Sequence, residues 1–470
     1  MPQFAPRPVA SPAQASYHLR IGNRGGRGAG GGERWGMRIV EMRVTPIALT
    51  DPPLRSAFGL HAPYALRTIV ELVTDDGLTG ISETHGGDAV LRDLEAVRPL
   101  VVGSDPYALS RLEFLLGGRD EDAALREPSR AHADAQPWEG KLGSPARTFG
   151  AIEVACLDLI GQATGRPVCD LLGGRFRDSV PFSAYLFYKH AGAGGTDGLG
   201  RESRAARERD DFLVREALDA ESLTRQAQDM CAEHGFRSLK LKGGVLDPAE
   251  EVRTLFALRE AFGPDTPLRI DPNAVWTEET AIRWGREMAG VLEYYEDPVK
   301  GKEAMARVAR EVPMPLATNM CCVSFADLPE TLRLGAIGIL LSDHHIWGGL
   351  LNSVKAAKIC QVWGLGLSMH SNSHLGISLL AMTHLAAAIP NLTYACDTHY
   401  PWQTEEVLAG GKRRFVDGSL PVPTEPGLGG KIDPDALAAL HENYLRAGLA
   451  HRDDVLEMQK IEPGWRPRVW

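Results

Sequence analysis

The 470-residue chain has no C-x-x-C or other paired cysteine spacing. Its seven cysteines, Cys156, Cys169, Cys231, Cys321, Cys322, Cys360 and Cys396, are scattered and odd in number. That excludes a disulfide framework and a cysteine-rich zinc site, and points to reduced thiols in a cytoplasm. No uninterrupted apolar run approaches the roughly 20 residues of a membrane span, and no apolar stretch near the start resembles a secretory signal. There is no sustained basic block, and the net charge of −10 argues against a nucleic-acid partner. These absences leave a soluble cytoplasmic protein with neither a membrane nor a nucleic-acid partner. Its length allows two domains, or one large barrel with an attached module.

What is present falls into four regions. Residues 1–36 are dominated by Pro, Ala, Arg and Gly, and read as a disordered or non-native extension, with Met37 opening the first patterned segment. Residues 37–178 read as an α+β capping domain. Its strands are Arg38–Leu49, Thr68–Thr74 and Leu78–Thr84, joined by a polar loop over 51–64, and its helices include Ala151–Ala163. From 179 to 404, short apolar strands alternate with amphipathic helices at Ala220–His234, Pro248–Phe262, Glu278–Ala289 and Leu350–Trp363. That rhythm predicts a parallel sheet with crossover helices, and its length predicts a β/α barrel. The Gly-rich and charged stretch 193–211 interrupts it as a solvated excursion. Residues 405–470 leave the rhythm and are expected to pack back on the capping domain.

The barrel strands end in chemically loaded residues. In Ser-Leu-Lys-Leu-Lys-Gly-Gly (238–244), strand alternation puts Lys240 and Lys242 on one face. Two ammonium groups so close oppose each other's protonation, so one can serve as a general base; alone, the stretch also reads as an exposed edge strand. Lys242, Asp271, Glu296, Asn319, Asp343 and His370 each close one apolar run, and the gaps between them are 23 to 29 residues. One strand, one helix and two loops need about that length, so the six should converge on the C-terminal mouth of the barrel. Asp271, Glu296 and Asn319 offer three oxygen donors that suit a hard cation such as Mg²⁺, and no Cys or His joins them to favour zinc. Lys242 and His370 would face each other across that metal, with Asp343 fixing the tautomer of His370. Two bases flanking a Lewis acid suit proton abstraction next to a carboxylate.

From about Met37 to the C-terminus, these motifs resemble the enolase superfamily in its glucarate-dehydratase-like subgroup. They are Leu-Lys-Gly-Gly-Val-Leu (241–246), Asp-Pro-Asn-Ala (271–274), Glu-Asp-Pro (296–298), Ala-Thr-Asn-Met (317–320), His-Ser-Asn (370–372), Asp-Thr-His (397–399) and Ala-His-Arg-Asp-Asp (450–454). The resemblance implies a modified (β/α)7β TIM barrel, capped by the N-terminal module together with the C-terminal tail. It implies Mg²⁺-dependent dehydration of an acid sugar: an α-proton leaves, then a β-hydroxyl, and D-glucarate or L-idarate becomes 5-keto-4-deoxy-D-glucarate. It gives Lys242 and His370 as the bases, Lys240 as a contact for the metal-bound carboxylate, and Asn372 as a donor to the enediolate or the leaving group. His61, Tyr185, Phe187, His399 and Arg452 match substrate-lining positions, with Arg452 gripping a distal carboxylate. Relatives of this kind also associate as homo-oligomers.

Two departures from the subgroup fall on the capping domain. Ser56 stands where an Asn is expected, and the region around Trp138-Glu139-Gly140-Lys141 lacks a Gln-Thr-Phe stretch. They leave open a dehydratase or epimerase of a different aldarate or aldonate. A non-catalytic paralogue that keeps the metal scaffold is the reading from another class, and the complete set of bases and ligands speaks against it.

Overall fold

A computed structural model describes residues 36–61, 63–124, 144–195 and 210–470, apart from the side chains of 117–124. The expectations for residues 1–35, for 138–141 and for most of 193–211 lie outside the described residues. The first described segments build an antiparallel sheet from β1 (Ile39–Thr50), β4 (Tyr64–Thr74) and β5 (Thr79–His85), in the order β1-β4-β5. The loop expected between β1 and β4 contains a hairpin of β2 (Leu54–Ser56) and β3 (Gly59–His61). Gly59 is required there: its φ is 133°, and a Cβ would lie 2.1 Å from the Asp454 carbonyl oxygen. Helices α1 (Asp88–Val101), α2 (Leu109–Ala124) and α3 (Pro145–Thr164) follow, and Met42, Val70, Leu72, Leu94, Ile152 and Leu159 share one apolar core with them.

Helix α3 begins six residues before the expected Ala151. The Ser144 side chain accepts a hydrogen bond from Arg147 N, and Pro145 occupies the first turn, where its missing N–H costs nothing. One of those extra residues, Arg147, lines the functional cavity described below. After the short α4 (Val168–Leu171) the chain enters the barrel.

The barrel strands are β6 (Ser179–Phe187), β7 (Leu239–Lys242), β8 (Leu268–Asp271), β9 (Tyr294–Glu296), β10 (Leu316–Thr318), β11 (Ile339–Ser342), β12 (Gly366–Met369) and β13 (Cys396–Thr398). Their hydrogen-bonded order is β12-β11-β10-β9-β8-β7-β6-β13, all parallel. The register sets Lys242 opposite Asp271. Between β12 and β13 single bonds stand in for a ladder: Ser368 Oγ donates to Ala395 O at 2.8 Å, and Leu367 N donates to Thr393 Oγ1 at 2.9 Å. A further strand, β14 (Ser419–Pro421), runs antiparallel to the start of β6.

The crossover helices are α5 (Ala220–His234), α6 (Pro248–Phe262), α7 (Glu278–Glu287), α8 (Lys302–Ala309), α9 (Leu328–Leu334), α10 (His344–Trp347), α11 (Leu350–Trp363) and α12 (Gly376–Ala388). Sequence periodicity does not reveal α12, because it is apolar on every side and buried over almost its whole length. The chain ends in α13 (Pro434–Ala447) and α14 (Asp454–Ile461). Both pack on the N-terminal module: His441 Nδ1 donates to Pro46 O at 2.7 Å, and Leu60 of the hairpin forms a small core with Met458 and Trp465.

Glu153 couples the module to the barrel. It lies on α3, is fully buried, and accepts hydrogen bonds from Leu350 N and Leu351 N at 2.8 Å each, so it caps α11 from outside that helix. Replacing it leaves two N–H groups, one buried and one part-buried, without acceptors, each worth about 1–3 kcal/mol when fully buried. Glu153→Ala is therefore expected to destabilise the protein by roughly 2–4 kcal/mol in urea unfolding; an unchanged midpoint would refute this coupling.

Candidate active site at the mouth of the barrel

Three consecutive strand ends bring Asp271, Glu296 and Asn319 together. The two carboxylates are fully buried and the amide is 6 % exposed. Asn319 Nδ2 donates to Glu296 Oε1 at 2.6 Å, and Lys242 Nζ donates to Asp271 Oδ2 at 2.7 Å. The turns behind the trio are held in unusual backbone: Asn273, Ala274 and Asp297 have φ of 53°, 61° and 33°. Such conformations persist only where the surroundings enforce them. Here Asn273 N donates to Asp271 Oδ1 at 2.9 Å, and Ala274 N donates to Asp297 O at 2.7 Å. Asp297 in turn accepts from Thr318 Oγ1 at 2.5 Å and from Asn319 N at 2.8 Å, which locks the turn that presents Asn319.

Beneath the trio sits Lys240. Its Nζ is 2.6 Å from both Glu296 Oε2 and Asp397 Oδ2, and its side chain has no solvent exposure. Burial works against its charge, but attraction to Asp397 and Glu296 outweighs that and holds its pKa above the ordinary lysine value. Lys240, which the resemblance gives as a contact for a metal-bound carboxylate, is enclosed in this structure by protein carboxylates, and Lys242 is paired separately with Asp271. Burial likewise pushes the Asp271 carboxyl up, yet Lys242 and Lys240 beside it bring it below the ordinary value. For Glu296 burial prevails over the pull of Lys240, with Asp271 and Asp397 adding to it, and its carboxyl lies well above the usual range.

On the other side, Asp343 holds two imidazoles. His370 Nδ1 lies 2.9 Å from Asp343 Oδ2, and His345 Nδ1 lies 2.8 Å from Oδ1. Burial lowers the His370 pKa, and the hydrogen bond to Asp343 opposes that without reversing it. The ring is therefore neutral near pH 7; with the Nδ1 proton directed at Asp343, Nε2 keeps its lone pair. Asn372 is clamped next to it, with Nδ2 2.7 Å from His85 Nε2 and Oδ1 accepting from Arg67 Nη1 at 3.3 Å. Arg67 is itself neutralised by Glu83, Nε to Oε1 at 2.8 Å.

These groups surround a cavity of about 310 Å³. Of the residues expected from sequence, His61, Tyr185, Lys242, Asn319, His370, Asn372, His399 and Arg452 line it, as does Ser56. Lys240, Asp271, Glu296 and Asp343 lie behind that lining. Phe187 is also fully buried behind it, its ring 6.0 Å from His61 and 5.1 Å from His399, so it backs the two imidazoles and offers no surface to the cavity. Arg452 Nη1 is 3.1 Å from Asp51 Oδ2 and its Nε is 2.5 Å from Asp454 Oδ1, so the guanidinium expected to grip a distal carboxylate already holds two buried aspartates. Burial raises both of their pKa values to about 6, against the pull of Arg452.

Residues 222–436 match the family model described as Enolase C-terminal domain-like. A probable glucarate dehydratase from Streptomyces coelicolor is 44% identical over 434 residues, covering 91% of this chain and 97% of that protein. The chain belongs to the enolase superfamily. Solved superfamily structures agree in fold. An enolase from Thermobispora bispora, complexed with magnesium and formate, aligns with TM-score 0.83 and 51% identity over 92% of this chain and 100% of its own. One from Pseudomonas fluorescens, with bound magnesium, potassium and tartrate, aligns with TM-score 0.83 and 44% identity over 92% and 98%.

Several groups at this superfamily site escape the sequence reading. Arg67, His85 and His345 sit on elements whose patterns report packing, and Asp51 and Asp454 meet across some 400 residues of chain. Arg147 had a signal, the Ser144-Pro145 helix start, which shows that α3 begins early enough to carry it.

Asp343→Asn removes the negative charge that supports the protonated form of His370. The His370 pKa should then fall further below 6.5, seen as a shifted midpoint in an NMR titration of its ring; an unshifted midpoint would deny Asp343 that role.

Proposed function

We propose that this chain is a Mg²⁺-dependent acid-sugar dehydratase that converts D-glucarate, and its epimer L-idarate, to 5-keto-4-deoxy-D-glucarate. The observation that carries the proposal is that Lys242 and His370 line one cavity beside the trio Asp271, Glu296 and Asn319. The 44% identity to a probable glucarate dehydratase supports the substrate class. So does tartrate, itself a hydroxy diacid, in the Pseudomonas fluorescens relative.

The trio fits a hard divalent cation. Its donors are oxygens alone, and two carboxylates are buried side by side at a cost to Glu296 that a cation would relieve. Magnesium occurs in both solved relatives described above. When bound, Mg²⁺ supplies a Lewis acid that offsets the charge developing on the substrate carboxylate as its α-proton leaves.

The chain's own residues do the rest. One base, Lys242 or His370 according to the configuration at the α-carbon, takes that proton. The electron pair then forms the carbon–carbon double bond as the β-carbon–oxygen bond breaks, and the hydroxyl takes up a proton and departs as water. The enol that remains gains a proton on carbon and becomes the keto acid. Asn372, held between His85 and Arg67, is placed to hydrogen-bond the developing oxyanion or the departing hydroxyl. Tyr185 and His399, whose rings pack 4.7 Å apart, wall off solvent at this end.

A panel of diacid and monoacid sugars with Mg²⁺, assayed for keto-acid release, tests the proposal; release from none of them sinks it, and epimer formation without release reassigns the reaction. Lys242→Ala and His370→Asn should each lower kcat by about 10²–10⁴ on substrates whose α-proton faces that residue. Full activity of Lys242→Ala on every substrate would remove it from the mechanism. Asn319→Ala should raise the Mg²⁺ concentration for half-maximal activity by roughly 10–100-fold with little change in Tm. An unaltered metal titration would count against the trio.

A further inference from the structure

Arg147 stands apart among the charged groups of the cavity. Its residue is 3 % exposed, it lines the cavity from the first turn of α3, and neither Nε nor Nη1 has a hydrogen-bond acceptor. Among the described residues, no carboxylate forms an ion pair with it. Among the described residues the two other buried arginines are matched, Arg67 by Glu83 at 2.8 Å and Arg269 by Glu293 at 2.7 Å, and the partly buried Arg452 is held by Asp51 at 3.1 Å and Asp454 at 2.5 Å. A guanidinium carries five N–H donors in a planar fork suited to a carboxylate, and burying it unmatched is costly. Burial already lowers its pKa to about 10, and the charges acting on it are those of Asp343 and Arg67, which sets it on the His370 side of the cavity. It is also held in place. The Ser144 cap and Pro145 define the helix start, and Gly150 lets α3 press on the barrel, since a Cβ there would meet Gly349 N at 2.8 Å.

We propose that Arg147 binds the second carboxylate of a diacid substrate, the one remote from the carboxylate at the metal trio, and so makes the enzyme select diacids over monoacids. This rests on the acid-sugar reading and moves the distal anchor from Arg452, which the chain itself neutralises, to an arginine that the chain leaves unmatched. The guanidinium would form paired N–H···O bonds to the substrate, recovering on binding what its burial costs in the free protein.

Binding is measured apart from turnover, by calorimetry with Mg²⁺ in the Lys242→Ala/His370→Asn protein, using D-glucarate and D-gluconate, which differ in the second carboxylate. Adding Arg147→Gln should weaken D-glucarate binding at least tenfold and leave D-gluconate within twofold. Arg147→Lys, which keeps the charge but loses the fork, should recover part of the difference. Equal losses for both acids with a lowered Tm would assign Arg147 to packing and overturn the proposal. So would unchanged D-glucarate binding in a protein whose native form still dehydrates D-glucarate, with the acid-sugar reading left standing. Binding of neither acid, with no keto-acid release by the native enzyme, would instead overturn that reading and the proposal with it.

Discussion

An ammonium group without access to water, Lys240 Nζ, is the constraint around which the barrel mouth is built. A buried charge is tolerated only when matched closely, and Lys240 is matched by Glu296 from β9 and Asp397 from β13. The pairing therefore ties β7 to the strands two places away on either side, one of them beside the seam where β12 and β13 lack a ladder. It also sets the Glu296 carboxylate: with Oε2 turned to Lys240, Oε1 is left to face Asn319. Asp397 is steadied in turn by Arg269, whose Nη1 lies 3.5 Å from Oδ1. The floor is nearly balanced in charge, and Lys242 and His370 stand one layer above it.

In that upper layer Lys242 and His370 are maintained by different means. Lys242 is paired with Asp271 and sits near the Tyr185 ring, its Nζ 5.6 Å from the centroid. His370 is neutral because burial outweighs Asp343, and it is oriented because Asp343 accepts its Nδ1 proton. One carboxylate serves two imidazoles, which places His345 and Asn372 in the same hydrogen-bonded frame through Arg67. The capping module is part of this site. Helix α3 caps a barrel helix with Glu153 and presents Arg147 to the cavity, so one rigid element serves both the barrel packing and the cavity wall. The C-terminal tail contributes Arg452, immobilised between Asp51 and Asp454.

Much of this was legible in the chain. The strand ends carrying Lys242, Asp271, Glu296, Asn319, Asp343 and His370 could be read because a β/α repeat spaces them almost evenly, and amphipathic helices such as Ala220–His234 and Pro248–Phe262 announce themselves by period. Helix α12 could not be read, since uniform burial erases periodicity, and hairpin β2–β3 was hidden by its Pro-Pro and Gly residues, which look like loop. The unmatched state of Arg147 was equally invisible. It depends on which carboxylates fail to reach it, and local sequence carries no record of that.

By itself, then, the sequence determined the barrel and the order of the strand ends that carry Lys242, Asp271, Glu296, Asn319, Asp343 and His370, because each is encoded in the residues of one strand or helix. Only the tertiary structure decided how the charges are shared. It showed that Lys240 belongs to the floor, that Phe187 stands behind the cavity wall, and that Arg452 is already occupied. The physical reason is that charge balance in a buried site is set by groups distant in the chain and ångströms apart in space, where a carboxylate that neutralises one cation is withheld from another.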